Sequence, residues 1–135
     1  MHTYHLFISH SWTYSDAHDN LVKLLTAQPR FDFKNYSVPS DDPIIGARTD
    51  KELEAAIENQ IRPCSAVLIM AGKYATYSKW INKEIEIAKR MGKVIIAIKP
   101  FGAERISSVV REAAHAECAW NTQSIVSAIR EQTAG

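Results

Sequence analysis

The segment Ser78-Lys79-Trp80-Ile81-Asn82-Lys83-Glu84-Ile85 sets one acid among apolar neighbours at helical spacing. At about 100° per residue, Ile81, Ile85 and Ala88 form an apolar stripe, Trp80, Ile87 and Met91 widen it, and Glu84 projects from inside the arc. Glu86 falls on the opposite side with Lys79, Lys83 and Arg90, where a helical carboxylate normally meets water. An acid held among apolar side chains is costly to ionise unless it is paired or faces a cleft. Two readings follow. Glu84 is one half of a buried salt bridge, or it is a carboxylate kept for chemistry, since perturbed acids cluster at functional sites.

Some chemistries are excluded by residues that are missing. A phospho-receiver needs an acidic pair after its first strand and an aspartate ending its third, whereas this chain has Ser9-His10-Ser11 and Met70-Ala71. Neither the phosphate loop of a flavodoxin nor the GxGxxG of a dinucleotide-binding domain is present. His2, His5, His10, His18 and His115 lack the spacing of a metal set. No GxSxG accompanies Ser9 or Ser11. One reaction does suit a lone buried glutamate. Cleavage of the N-glycosidic bond to nicotinamide expels a neutral leaving group, so no general acid is needed, and a single carboxylate can stabilise the oxocarbenium-like ribose. Ordinary glycosidases need two carboxyls.

The elements that must position Glu84 alternate between strand and helix. Tyr4–Ser9 reads as a first strand and leads to a helix from about Ser15 with Ala17, Leu21, Leu24 and Leu25 on one face. A weaker strand, Phe33–Val38, runs into the proline- and glycine-bearing loop Ser40–Gly46. A helix capped by Thr49 or Asp50 turns Leu53, Ala56, Ile57 and Ile61 inward and stops at Pro63. Ala66–Met70 and Val94–Ile98 are continuous apolar runs suited to central strands covered on both faces. The Glu84 helix lies between them. A helix near Glu104–Ala114, a strand at Glu117–Trp120 and a helix at Asn121–Gln132 complete the series. Such a series predicts a flavodoxin-like α/β fold: a parallel sheet of five strands in the order 2-1-3-4-5, flanked by helices. Its site lies where the strands' carboxyl ends meet the loops, near the reversal beside strand one. Ser9, His10, Ser11 and Trp12, the Ser40–Gly46 loop and Gly72–Glu84 then border one crevice.

With 135 residues, the chain is expected to form one domain over residues 1–135. Sixteen basic against fifteen acidic residues leave a net charge of +1, so no global field favours nucleic acid or an anionic membrane. No apolar run is long enough to span a bilayer, and the Met1-His2-Thr3-Tyr4 start does not read as a signal peptide. A cytoplasmic protein is expected. Cys64 and Cys118 stand far apart in apolar contexts and read as reduced structural thiols.

Phe7-Ile8-Ser9-His10-Ser11 resembles the first strand and turn of TIR domains, and Ser78 to Glu84 resembles their S-x-W-x-x-x-E motif. The resemblance covers nearly the whole chain in element order. It is strongest to the short bacterial TIR-like branch that includes the TIR proteins of Thoeris anti-phage defence. The resemblance implies that Glu84 is the catalytic residue of an NAD-cleaving enzyme, with NAD as substrate and neither a metal nor a further cofactor. The product is then an ADP-ribose-derived signal, cyclic or conjugated, read by a separate effector protein. It also implies that Asp41, Asp42, Pro43 and Ile44 lie in the BB loop, through which TIR domains self-associate, and that a phage-derived activator is a possible partner. Ser9, His10 and Ser11 become crevice residues; Trp12 is either a lid over the first helix or a base-stacking surface. Tyr74 and Tyr77 border the site, and Trp80 either packs in the core or meets the ribose or nicotinamide. The chain departs from the family in carrying His10-Ser11-Trp12-Thr13 where Arg and Lys are usual, and in its acidic Asp41-Asp42 loop. Two alternatives stand beside this reading: a non-enzymatic TIR interaction module, and a nucleoside deoxyribosyltransferase-like enzyme.

Overall fold

Strands apolar at every position can be satisfied only by cover on both faces, and the two such runs of this sequence lie at the middle of a parallel sheet. In the computed structural model, which describes residues 3–9, 16–36, 50–70, 79–99 and 108–133, the sheet is formed by β1 (Thr3–Ile8), β2 (Asp32–Asn35), β3 (Ala66–Met70), β4 (Val94–Ile98) and β5 (Ala116–Cys118). Their order is β2-β1-β3-β4-β5, parallel throughout. The helices are α1 (Asp16–Thr26), α2 (Asp50–Ile61), α3 (Lys79–Arg90), α4 (Ser108–Ala113) and α5 (Thr122–Thr133). The flavodoxin-like architecture expected from the sequence is the one observed.

Because side chains alternate across a strand, the sheet sorts its residues into two cores. Phe7, Val67, Ile69, Ile95 and Ala97 point to one face, where Ile57 and Ile61 of α2, Ile81, Ile85, Ile87 and Ala88 of α3, and Val110 and Ala113 of α4 cover them. Leu6, Ile8, Ala66, Leu68, Ile96 and Ile98 point to the other, under Leu21 and Leu25 of α1 and Ile125, Val126 and Ile129 of α5. Helix α3 then stops at a Schellman-type turn. Lys93 N–H donates to the Ala88 carbonyl at 2.8 Å and Gly92 N–H to that of Lys89 at 3.1 Å, with Gly92 at φ 70°. A left-handed backbone is why glycine stands there.

The two central strands match their expected limits, and the edges differ from theirs. β2 is earlier and shorter than the expected Phe33–Val38, because its ladder is set by Thr3 opposite Asp32 through Leu6 opposite Asn35. Positions 37 and 38, like the Ser40–Gly46 loop, lie outside the described residues. β5 is Ala116–Cys118 instead of Glu117–Trp120. Its ladder ends where Ile98 faces Cys118, and Asn121 already caps α5, its Oδ1 accepting from Ser124 N–H at 2.8 Å. Consequently α5 begins and ends one residue later than expected. Of the predicted inward residues of α2, Ile57 and Ile61 are buried, Ala56 is half-buried, and the Leu53 side chain lies outside the described set. Both cysteines are free and buried, as expected of structural thiols. Burial pushes Cys64 up to about 12 and Cys118 up to about 11, far from the reactive thiolate range. Among the described residues no helix is long and apolar enough to cross a membrane.

Candidate functional site

The sheet reverses its direction of winding between β1 and β3, and the residue that follows β1 is Ser9. Its N–H donates to the Leu68 carbonyl at 3.0 Å, extending the β1–β3 ladder by one step at the strands' carboxyl end. Two positions beyond Phe7, Ser9 continues the alternation onto the face that carries α3, and it is fully buried.

Helix α3 is the most strongly two-sided helix of the chain in its residue pattern. Ile81 and Ala88, three before and four after Glu84, and Ile87, three after it, are all buried, so the helical period carries Glu84 inward with them. Fully burying one isoleucine contributes about 1.5–3 kcal/mol. These three apolar side chains together with Ile85 are therefore enough to hold an inward-facing acid that the helix by itself would turn outward.

The Glu84 carboxyl is 0% exposed. Among the described residues no donor meets ordinary hydrogen-bond geometry at either Oε1 or Oε2. Desolvation pushes its pKa up to about 8, and the Ser9 side chain acts weakly in the opposite direction. The Ser9 side chain is thus a polar neighbour of the carboxyl that favours its ionised form. The buried salt bridge that the sequence left open has no cation to form it among the described residues. Glu86, two positions on, is exposed, as the helical period requires.

Sequence reasoning missed what the outer face of α3 does. Lys83 and Arg90 read as solvated cations, but they clamp α3 to α2. Glu54 accepts from Arg90 Nη1 at 3.0 Å and from Lys83 Nζ at 3.5 Å, and Arg90 also pairs with Glu58. The signal was present as Glu54 and Glu58, four apart and so on one face of α2. The Arg90 guanidinium, followed by Lys83, holds the Glu54 carboxyl below its usual range. His5 and His115 are likewise committed: His5 Nδ1 meets the Tyr36 hydroxyl at 2.8 Å, and His115 Nδ1 accepts from Ile95 N–H at 3.1 Å.

Of the residues assigned to the site from sequence, Ser9 and Glu84 are brought together. His10, Ser11, Trp12, Tyr74 and Tyr77 lie outside the described residues, as do Asp41, Asp42, Pro43 and Ile44. Trp80 belongs to the first turn of α3, with its side chain outside the described set.

Among solved structures, the response regulator domain of Thermotoga maritima CheB is similar over 99% of this chain and 98% of its own, with a TM-score of 0.59 and 10% identity. At that identity the likeness concerns the fold, and Ser9 after β1 and Met70 at the end of β3 stand where a receiver carries its acids. No curated protein matches the sequence. The family described as Thoeris protein ThsB, TIR-like domain, matches residues 7–105, a span that holds both Ser9 and Glu84. The chain therefore belongs to the ThsB TIR-like family of Thoeris anti-phage defence.

Proposed function

We propose that this protein cleaves the nicotinamide–ribose bond of NAD and that Glu84 is its catalytic carboxylate. The observation that carries the proposal is the Glu84 carboxyl itself, wholly buried and without a hydrogen-bond partner among the described residues, beside Ser9 at the reversal of the sheet. An interaction module gains nothing from such a group, whereas a site that must stabilise a transient cation gains a preorganised charge in a low-dielectric setting.

In the proposed reaction the C1′–N1 bond breaks and its electron pair leaves with nicotinamide, which departs neutral. Positive charge develops on C1′ and the ring oxygen of the ribose, facing ionised Glu84. Capture of that cation by water gives ADP-ribose and releases a proton. Capture by an adenine nitrogen, a ribose hydroxyl or an added small molecule gives a cyclic or conjugated product. No cofactor takes part. His10, Ser11, Trp12, Tyr74, Tyr77 and Trp80 would contact the nucleotide, and Asp41, Asp42, Pro43 and Ile44 would support association between copies in the cytoplasm. A phage-derived activator would start the reaction, and a separate effector would read the signal.

Mass spectrometry of products after incubation with NAD tests this directly, in parallel with deoxynucleosides. Release of nicotinamide by the native protein and not by Glu84→Gln is the expected result. Base exchange on deoxynucleosides with NAD untouched would replace this function with a deoxyribosyltransferase.

A further inference from the structure

A carboxyl buried on the same helix face as Ile81, Ile87 and Ala88 ionises near neutral pH only if something positive compensates it. Among the described side chains, the charged groups of the elements packed against α3 are committed elsewhere or exposed. On α3, Lys83 is held by Glu54 and Arg90 by Glu54 and Glu58, Glu86 and Lys89 are exposed, and the Lys79 side chain lies outside the described set. On α2, Glu54 and Glu58 are the partners just named, Lys51 is exposed, and the Asp50 and Glu52 side chains lie outside the described set. On α4, Arg111 binds Glu117 and Glu112 is exposed. β3 and β4 carry no charge; beside β4, Lys93 donates to the Arg62 carbonyl and Lys99 pairs with Glu117. On β1, His5 meets Tyr36. Among the described residues the site thus has an acid and no counter-ion.

We infer that the missing cation is the substrate: an N-ribosylpyridinium binds against protonated Glu84 and drives its proton into solvent, so that the site selects the oxidised, cationic nicotinamide nucleotide over the reduced, neutral one. The inference rests on the function proposed above and adds to it a proton-coupled choice of redox form. Magnitudes agree with it. With Glu84 pushed up to about 8, the resting carboxyl is mostly neutral at neutral pH. An opposite charge within about 4–6 Å lowers a carboxyl pKa by about 1–3, which carries Glu84 to or below neutrality. The ion needed for the chemistry is then formed when the correct substrate arrives. A neutral dihydronicotinamide supplies no such charge and leaves Glu84 protonated.

The test is isothermal titration of the native protein in two buffers of different ionisation enthalpy. The probes are NADH and the carbocyclic analogue of NAD, which keeps the pyridinium charge but cannot form an oxocarbenium. Near pH 7 the analogue should release about 0.4 to 0.9 proton per site, falling towards none above about pH 9, and NADH should release none. Above pH 8 the analogue should bind about tenfold or more tighter than NADH, and Glu84→Gln should erase both the preference and the proton release. Binding of the analogue without proton release, a preference that survives in Glu84→Gln, or no binding of either probe at millimolar concentration overturns the inference. Nicotinamide release from NAD, measured on the same preparation, separates the two claims. Cleavage without proton release removes the inference and leaves the function, whereas proton release without cleavage does the reverse.

Discussion

The two sides of helix α3 meet two carboxylate environments, and these obey opposite rules. On its outer side Glu54 of α2 sits between Lys83 and Arg90 in contact with solvent, and its pKa is lowered by them. On its inner side Glu84 sits among isoleucines, and burial pushes it up to about 8. The outer acid is stable as an anion and its ion pairs join two helices. The inner acid is unstable as an anion, and of its described surroundings only the Ser9 side chain favours that form. The charge that holds the fold has its partners within the fold; the charge we propose to meet a ligand has no cation beside it among the described residues.

The largest expected effect breaks this contrast on the inner side. Glu84→Gln keeps the shape of the side chain and removes its charge, and it should lower the rate of nicotinamide release by about 10²-fold or more. Product counting on folded protein checks this. Turnover close to the native rate would show that the buried carboxyl is not the group facing the reacting sugar.

The same substitution should stabilise the fold, which is a second and independent reading of the inner acid. Unfolded, Glu84 titrates near 4.5; folded, at about 8. Between these values the folded chain holds a proton that the unfolded chain has released. Its contribution to stability is therefore full below about pH 4.5, declines as pH rises, and is lost by about pH 8 and above. Glutamine has no such titration. Relative to the native protein, Glu84→Gln should melt at the same temperature near pH 4 and higher near pH 8, by an amount on the order of a few kcal/mol. A pH-independent difference in melting temperature would mean that Glu84 ionises freely in the fold.

Much of this contrast was legible in the sequence, and the part that was not has a physical cause. The helical period alone turned Glu84 inward and Glu86 outward, because a stripe made of Ile81, Ile85, Ile87 and Ala88 leaves the helix only one way to face a sheet. The apolar runs of β3 and β4 set the centre of the sheet for the same reason. Strand edges were less legible. Where β2 and β5 stop depends on the register of a neighbouring strand and on the Asn121 cap, which are tertiary facts that a run of residue types does not encode. The partners of Lys83 and Arg90 were hidden likewise. A cation on a helix surface reads as solvated until the helix packed beside it is known to carry acids at matching positions.

A smaller effect is expected on the outer side. Glu54→Gln removes the acceptor shared by Lys83 and Arg90 and should lower the melting temperature slightly, with Arg90 still held by Glu58. The pairing lowers the folded pKa of Glu54, so its contribution is present above about pH 4.5 and lost as the pH falls through that lower value. The loss on substitution should therefore appear near neutral pH, vanish in acid, and shrink in high salt because the group is exposed. This pH dependence has the opposite sign to that of Glu84→Gln. A Glu54→Gln penalty that grew in acid would contradict the surface pairing.

The smallest effect belongs to Glu86, and it is the control that gives the others their meaning. Glu86 shares the helix, the chemistry and nearly the position of Glu84, and differs in facing water. Its one described interaction is a weak attraction to Arg90, four residues on, which ranks below those of Glu54 and Glu58. Surface substitutions of this kind fall within about 0.5 kcal/mol of neutral, so Glu86→Gln should shift the melting temperature by less than about 2 °C and leave nicotinamide release unchanged. If it instead lost activity as Glu84→Gln does, the net charge of α3 would matter more than the placement of any one carboxylate. The inner and outer faces of the helix would then be a single electrostatic unit.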